Sequence, residues 1–314
     1  MTQMEFDKSK YSTEIGNLKG LVCRIQKIIA DLYDAVTPSE IKNRKGVDRM
    51  VMSDVEIITI SIVGELMTID SERAWYSFCK KNLNDLFPVF CERSRFNRIR
   101  RNLHAVIRRC YEEITILVSD SPVKIVDSMP LPVCKFGRAH FHKTYRGYGA
   151  SYGWCPSKKE TYFGYKLHLL CDPNGYPVDY LFTSANVDDR APVAELVCSH
   201  RLLALYADKG YTGKKFFGQL CKKTNIRLYP LPKANAPQPE NEKSFRQHVF
   251  RVRRRIETTA SQFADQLNLQ RVRAKSLWGL ISRLACKFLA FAIAFLINLC
   301  IGVDNPVRIK SLVF

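Results

Sequence analysis

Apolar and polar positions along this chain follow two rhythms, and the change from one to the other divides it. In the first third the spacing is helical. Ser53-Asp54-Val55-Glu56 has the form of a capping box, in which the serine and the glutamate each satisfy a free backbone N–H at a helix start. Met52 and Ile57 stand where a hydrophobic staple would pack. The run that follows, IITISIVGELM, is apolar nearly all round and predicts a core helix rather than a surface one. A second helix is predicted from Ser94, with Phe96, Ile99, Leu103, Val106 and Cys110 at spacings of three and four. Arg95, Arg98, Arg101, Arg108 and Arg109 cover its other faces, and no acid lies between Arg93 and Arg109. Such a helix either lies on phosphates, within a helix-turn-helix, or is a packed helix with a solvated basic face.

From residue 122 the pattern shifts. Val123-Lys124-Ile125-Val126 is a short apolar strand running into Asp127. After a long polar and aromatic loop, TYFGYKLHLL (Thr161 to Leu170) alternates with a period of two and predicts a strand. Asp172-Pro173-Asn174-Gly175 is turn chemistry, and Tyr176 to Thr183 gives the return strand of a hairpin. Asp188-Asp189 is expected to open a helix through about Cys198. Leu203 to Ala207 is the next strand, ending at Asp208. Gly213 to Lys223 suits a helix and Ile226 to Leu231 a last short strand. The Pro-, Asn- and Glu-rich linker Ala234 to Glu242 precedes two helices, about 243–268 and 276–301. That order predicts an α/β fold, a mixed sheet with flanking helices preceded by an all-helical region, and it is the element order of a ribonuclease-H-like domain. The expected division is a helical region over 1–118, an α/β domain over 119–302 and a tail over 303–314.

Composition narrows the function classes. With 46% apolar and 25% charged residues, the 314-residue chain is neither disordered nor fibrous. Its 49 Lys+Arg against 30 Asp+Glu leave +19, a surplus that suits a nucleic-acid backbone or else a generally basic surface. The 11 cysteines are scattered without C-x-x-C spacing, which excludes a zinc ribbon and fits a reducing cytoplasm. The N-terminal MTQMEFDKSK lacks the apolar centre of a signal peptide. Phe288 to Ile301 is membrane-like in composition but shorter than the roughly 20 residues of a span. Asn298 interrupts it, and Arg283 and Lys287 precede it, so a buried closing helix is expected, with no membrane partner.

Three acids stand where chemistry would place them. Asp127 and Asp208 follow apolar strands, in VKIVDSMP and LYADKGYTG, and groups just beyond strand ends gather at the functional edge of an α/β sheet. Glu257 lies on a helix whose preceding stretch carries Lys243, Arg246, Arg251, Arg253, Arg254 and Arg255. Three converging carboxylates repel and call for a cation. Hard oxygen ligands favour Mg²⁺ or Mn²⁺, and a pair of such ions about 4 Å apart can drive phosphodiester transfer. Each acid also has a plainer role open to it. Asp127 and Asp208 can cap the turns after their strands, and Glu257 can pair with Arg253 one helical turn earlier. Asp172 is explained by its turn, and Asp188 and Asp189 by helix capping.

Taken together, VDSMP, TYFGYKLHLL, ADKGYTG and RRRIET, in this order and with CERSRFNRIRRNL upstream, resemble the DDE transposases of bacterial insertion sequences, most of all their nine-eight-two family. The resemblance covers roughly residues 50–300. It implies a metal-binding triad of Asp127, Asp208 and Glu257 with two Mg²⁺ or Mn²⁺ ions, and double-stranded DNA as partner, both terminal inverted repeats and target. It also implies a homodimer and a cytoplasmic, nucleoid-associated enzyme. Related elements carry a third motif, Y-x-x-R-x-x-x-E-x-x-x-x-x-x-K. Arg253 and Glu257 match it, whereas Phe250 and Ala264 stand at the Tyr and Lys positions, so the DNA contacts of those two would pass to neighbours such as Arg254 or Arg271. A ribonuclease-H-like nuclease without strand transfer and a catalytically inactive regulator are the other classes open.

Several basic residues are candidate DNA contacts: Arg95, Arg98 and Arg101 on the basic helix, Lys209 and Arg253 beside the acids, and Arg254 and Arg271 further on. The loop from Lys135 to Lys159 interleaves Arg138, His140, His142, Lys143 and Arg146 with Phe136, Phe141, Tyr145, Tyr148, Tyr152 and Trp154. That mixture suits a flexible DNA backbone or an unstacked base, or a loop packed by its own aromatics. His140 and His142 have no partner cluster that would make them a metal site.

Overall fold

The computed structural model describes residues 18–69, 71–200, 204–224, 226–230 and 243–312. The N-terminal decapeptide and the expected linker Ala234 to Glu242 lie outside them. In chain order the helices of the first part are α1 (Leu18–Val36), α2 (Ser39–Lys42), α3 (Asp54–Leu66), α4 (Glu72–Asn82), α5 (Arg93–Asn102) and α6 (His104–Val118). There follow β1 (Val123–Pro132), α7 (Lys143–Gly147), β2 (Ser151–Cys155), β3 (Glu160–Cys171), β4 (Pro177–Ser184), α8 (Val193–Val197), β5 (Ala204–Ala207), α9 (Lys214–Thr224) and β6 (Arg227–Pro230). The last helices are α10 (Lys243–Asp265) and α11 (Leu277–Cys300). The chain forms two compact units, one of residues 1–118 with 265–314 and one of residues 119–264.

In the helical unit, α11 packs on α6 and α3, and α1 packs on α3 and α6. The capping box forms as expected: Ser53 Oγ accepts from the Glu56 N–H, and Glu56 Oε2 accepts from the Ser53 N–H at 2.6 Å. Helix α3 is buried from Ile57 to Leu66, and its hydroxyls bond inward, Thr59 to the Val55 carbonyl and Ser61 to that of Ile57, both at 2.7 Å. By length and composition α11 could cross a membrane, yet 94% of its most apolar window is buried inside the protein. It is the core helix of this unit. The stretch expected to belong with the sheet to residue 302 is thus divided: residues 119–264 surround the sheet, and 265–302 pack with the N-terminal helices, because the all-round apolar α11 needs helices on every side.

The single helix expected from Ser94 is two. It breaks at Leu103, where the Arg101 carbonyl accepts from Trp278 Nε1 and lies within reach of His104 Nδ1, each at 3.0 Å. Side chains take over the acceptor that the next helical N–H would have used.

The sheet unit has six strands in the order β2-β3-β1-β5-β6, with β4 also on β3. β1 and β3 are antiparallel, as are β2 with β3 and β3 with β4, while β1, β5 and β6 run parallel. The mixed sheet with flanking helices is the expected class. Helices α8 and α9 cover one face, burying Val193, Leu196, Val197 and Leu220 against Val126, Leu205 and Leu228. β3 alternates in sequence, but as a central strand it is buried on both faces from Leu167 to Cys171. Strand β2 lies within the stretch expected to be loop: its Ser, Gly and Cys positions have little β-propensity, and only pairing with β3 makes it a strand.

Candidate active site

Register brings the two aspartates together. β1 and β5 pair in parallel from Val123↔Ala204 to Val126↔Ala207, so the next residue on each is an aspartate. β5 ends there: Asp208 turns the chain into a 3-10 segment, and its carboxylate accepts from the Lys209 N–H at 2.6 Å. β1 does not end at Asp127, contrary to the sequence expectation. Its other edge stays paired with β3 as far as Pro132↔Gly164, so Asp127 closes only the parallel ladder and lies within a ten-residue strand. Its Oδ1 accepts from the Ser128 N–H at 2.8 Å.

Glu257 arrives on α10, which docks through Thr259: its hydroxyl donates to the Gly175 carbonyl at 2.6 Å. Gly175 has φ +95°, and a Cβ there would lie 3.2 Å from both Arg255 Cβ and Thr259 Oγ1, so glycine serves the turn and the close approach together. The same turn is shaped by Asp172, which accepts from the N–H groups of Asn174 and Tyr176 at 2.9 Å, the turn role expected for it.

Arg253 links the acids. Its Nη2 stands 3.1 Å from Glu257 Oε1 and 3.4 Å from Asp208 Oδ2. The helical ion pair considered for Glu257 does form, and the same guanidinium reaches a second carboxylate from a different element. Burial pushes the Asp127 carboxyl up to about 6; the Ser128 N–H and the Arg253 charge pull it down, while the Asp208 and Glu257 charges push it up. Among the described residues no group of three or more His, Cys, Asp or Glu is arranged to hold a metal ion, and the arginine stands between two of the carboxylates.

Neighbours that the sequence reading gave no place at the site surround the acids. Asp189 accepts from the Ser128 hydroxyl at 3.0 Å and pairs with Lys166 at 2.9 Å, which ties it to the residue after Asp127. The helix expected to start at Asp188-Asp189 begins only at Val193. Asp188 is instead gripped by Arg190, whose Nε and Nη2 donate at 2.8 and 2.5 Å, and this holds its carboxyl down at about 2. Tyr211 is buried, its hydroxyl pushed well above the usual value by burial and by the charges of Asp127 and Asp189. The signals were present: Lys166 is the one lysine or arginine of β3, and Tyr211 sits in the Asp208 motif.

The candidate DNA contacts fall in different places. Lys209 is exposed beside Asp208. Arg254 is exposed with its guanidinium 4.8 Å from the ring centre of Phe250, the residue at the Tyr position of the third motif. Arg271 is exposed but belongs to the helical unit. Arg95 and Arg98, on α5, line a cavity of about 350 Å³ together with Arg44 and Lys45. Arg44 is committed to Asp54 through two 2.6 Å bonds, whereas Lys45, Arg95 and Arg98 are without an ion-pair partner among the described residues. Arg101 differs: it is half-buried and its Nε donates to the Asn97 carbonyl at 3.2 Å. His140 packs its ring on Phe141 and His142 on Tyr145.

The Transposase DDE domain model matches residues 119–293, more than half of the chain. Searches of curated proteins and of solved structures each returned no match. The matched span contains both aspartates that register sets side by side, the glutamate that Arg253 joins to one of them, and the sheet that carries them; the chain belongs to the DDE-domain transposases.

Proposed function

We propose that this transposase cuts DNA at the terminal inverted repeats of its own mobile element and joins the freed ends to target DNA, with Asp127, Asp208 and Glu257 as the catalytic triad. The observation that carries the reading is that Asp127 and Asp208 each follow the last pair of one parallel ladder, with Arg253 joining Asp208 to Glu257. Three carboxylates around one arginine leave an excess of negative charge, and hard oxygen donors in that number fit Mg²⁺ or Mn²⁺. Asp127, Asp208 and Glu257 would hold one or two such ions, with Arg253 giving up part of its hold on the acids. When bound, the metal supplies charge stabilisation and water or hydroxyl activation in phosphodiester transfer. The chain's own part is electrostatic and positional. Lys209 and Arg253 would neutralise the phosphate beside the acids, and Arg254, whose guanidinium lies on the Phe250 ring, would contact the flanking backbone. Exposed Arg95 and Arg98 of the helical unit would add sequence-independent affinity for duplex DNA, as Arg271 would. Residues 1–118 would serve DNA binding and dimerisation, since cutting two ends in one assembly calls for two copies.

The test uses end-containing DNA, a target duplex and Mg²⁺. Asp127→Asn, Asp208→Asn and Glu257→Gln should each reduce cleavage by more than about 100-fold, since even outer partners of metal ligands cost 10–100-fold. DNA binding should be largely spared. Joined products identify transposition, and nicks alone identify a nuclease without strand transfer. Full cleavage by any one variant refutes the triad.

A further inference from the structure

The segment between β1 and β3 is used by none of the chemistry above, yet it has the most unusual surface of the sheet unit. Five of the eight exposed large aromatic residues among the described residues lie in it: Phe136, Phe141, Tyr148, Tyr152 and Trp154. From Lys135 to Lys159 it carries six Lys or Arg and no acid.

Strand β2 organises part of this surface. Tyr152 and Trp154 are two apart on the strand and so share one face, opposite Phe163 and Thr161 of β3. Gly153 and Cys155 point the other way, where Cys155, Tyr162 and Ala185 form a small buried cluster. Tyr152 is braced from two sides: its ring centre lies 5.2 Å from that of buried Phe163 and 5.9 Å from that of Phe136 in an edge-to-face contact. The Arg146 guanidinium is 5.8 Å from the Phe163 ring centre. Trp154 stands 58% exposed at the end of this row. An apolar face held this firmly and left open marks a binding surface.

Its chemistry names the occupant. Two exposed rings on one strand face, about 6.8 Å apart along it and surrounded by cations, offer flat apolar platforms on which bases can stack while their phosphates meet positive charge. Bases within a duplex are already stacked on one another and do not reach such a platform. A second copy of the protein would set six like charges against six, which repel. Resting on the transposase reading, we propose that the Tyr152–Trp154 face of β2 stacks unpaired bases of the DNA substrate, with the surrounding cations on their phosphates. Asp127 pairs with Leu169 and Tyr152 with Phe163 along the same strand β3, which places the face about 20 Å from the acids by strand rise. The enzyme would then hold an unpaired stretch of strand at that distance from the bond it cuts.

The test is equilibrium binding by the full chain, without divalent ions, to a fluorescent oligothymidylate strand and to a blunt duplex of equal length. Trp154→Ala and Tyr152→Ala should each weaken single-strand binding about tenfold. Trp154→Phe, which keeps a ring, should stay within about threefold, and duplex binding should not change. Unaltered single-strand affinity in both alanine variants, or an equal loss for duplex, would overturn the proposal. So would a change of oligomeric state in Trp154→Ala by sedimentation, which would make the face a contact between copies. The measurement reads binding alone, with neither metal nor cleavage. Failure of the catalytic reading therefore leaves this measurement intact, and the reverse holds as well.

Discussion

Each unit of this protein gathers carboxylates and cations at one place, and the two gatherings are balanced in opposite directions. In the helical unit, Glu65 is buried with Arg283 at 3.2 Å and is hydrogen-bonded by Lys287, which also donates to the Leu267 carbonyl. Burial alone would raise the Glu65 carboxyl, but the attraction of Arg283 and Lys287 outweighs it and holds the group below its usual range. Burial in turn pulls Lys287 down. With the neighbouring Arg100–Glu72 pair there are three cations for two acids, and each cation has a partner within the fold. In the sheet unit one cation, Arg253, pairs with two acids, Asp208 and Glu257, and a third, Asp127, is pushed up to about 6 by burial and by the charges of the other two. The first cluster is complete in itself and does packing work. The second is short of positive charge, which is the condition of a site that completes itself with something it binds.

If that contrast is right, neutralising an acid has opposite effects in the two places. Glu65→Ala would leave Arg283 and Lys287 buried without their counter-charge and should cost about 3–5 kcal/mol, read from the urea midpoint. A loss below about 1 kcal/mol would mean the cluster is solvated rather than buried. Asp127→Asn should do the reverse in metal-free protein. A carboxyl that titrates near 6 when folded, against 3.8 ordinarily, binds more protons folded than unfolded between those values, so its ionisation opposes folding as pH rises through 6. The variant should therefore be more stable at pH 8, by up to about 3 kcal/mol. The gain should shrink as pH falls from 6 towards 4. Equal stability at pH 8 would show that Asp127 is solvated rather than buried.

A smaller shift, of opposite sign to the first, is expected from the missing cation itself. Magnesium that binds the folded protein alone should raise its stability by about 2.7 kcal/mol at a hundred times the dissociation constant. Asp208→Asn and Glu257→Gln should each lose most of that shift in thermal melts. A shift that survives both places the ion elsewhere.

How much of this was legible beforehand follows the range of the interactions. The Ser53–Glu56 capping box, the Asp172 turn, the β3–β4 hairpin and the closing helix are local or periodic, and each was readable from neighbouring residues. The three acids were also visible, since each stands in a short, recognisable segment. What joins them was not. Register between β1 and β5, and the reach of Arg253 to Asp208 across 45 positions of sequence, exist only once the sheet has formed. The break at Leu103 depends on Trp278, and β2 depends on β3, so neither could be read from its own composition. Asp189 reads as part of a helix start because two adjacent acids precede an apolar run. Its ties to Ser128 and Lys166 are products of folding.

The smallest effect sharpens the comparison from the surface. The helical unit has cations of two kinds: those spent on acids, such as Arg283, and those that line the cavity on α5 without an ion-pair partner among the described residues. Only the second kind can release counterions from DNA. Arg95→Ala and Arg98→Ala should each lower the slope of log affinity against log salt by about one unit per lost phosphate contact. Arg101→Ala should leave it nearly unchanged, because that guanidinium already serves the Asn97 carbonyl and is half-buried. Titrating duplex DNA across a salt series separates the three. If Arg101 changes the slope as much as its neighbours, then position on the helix, rather than prior commitment to the fold, decides which arginines meet DNA.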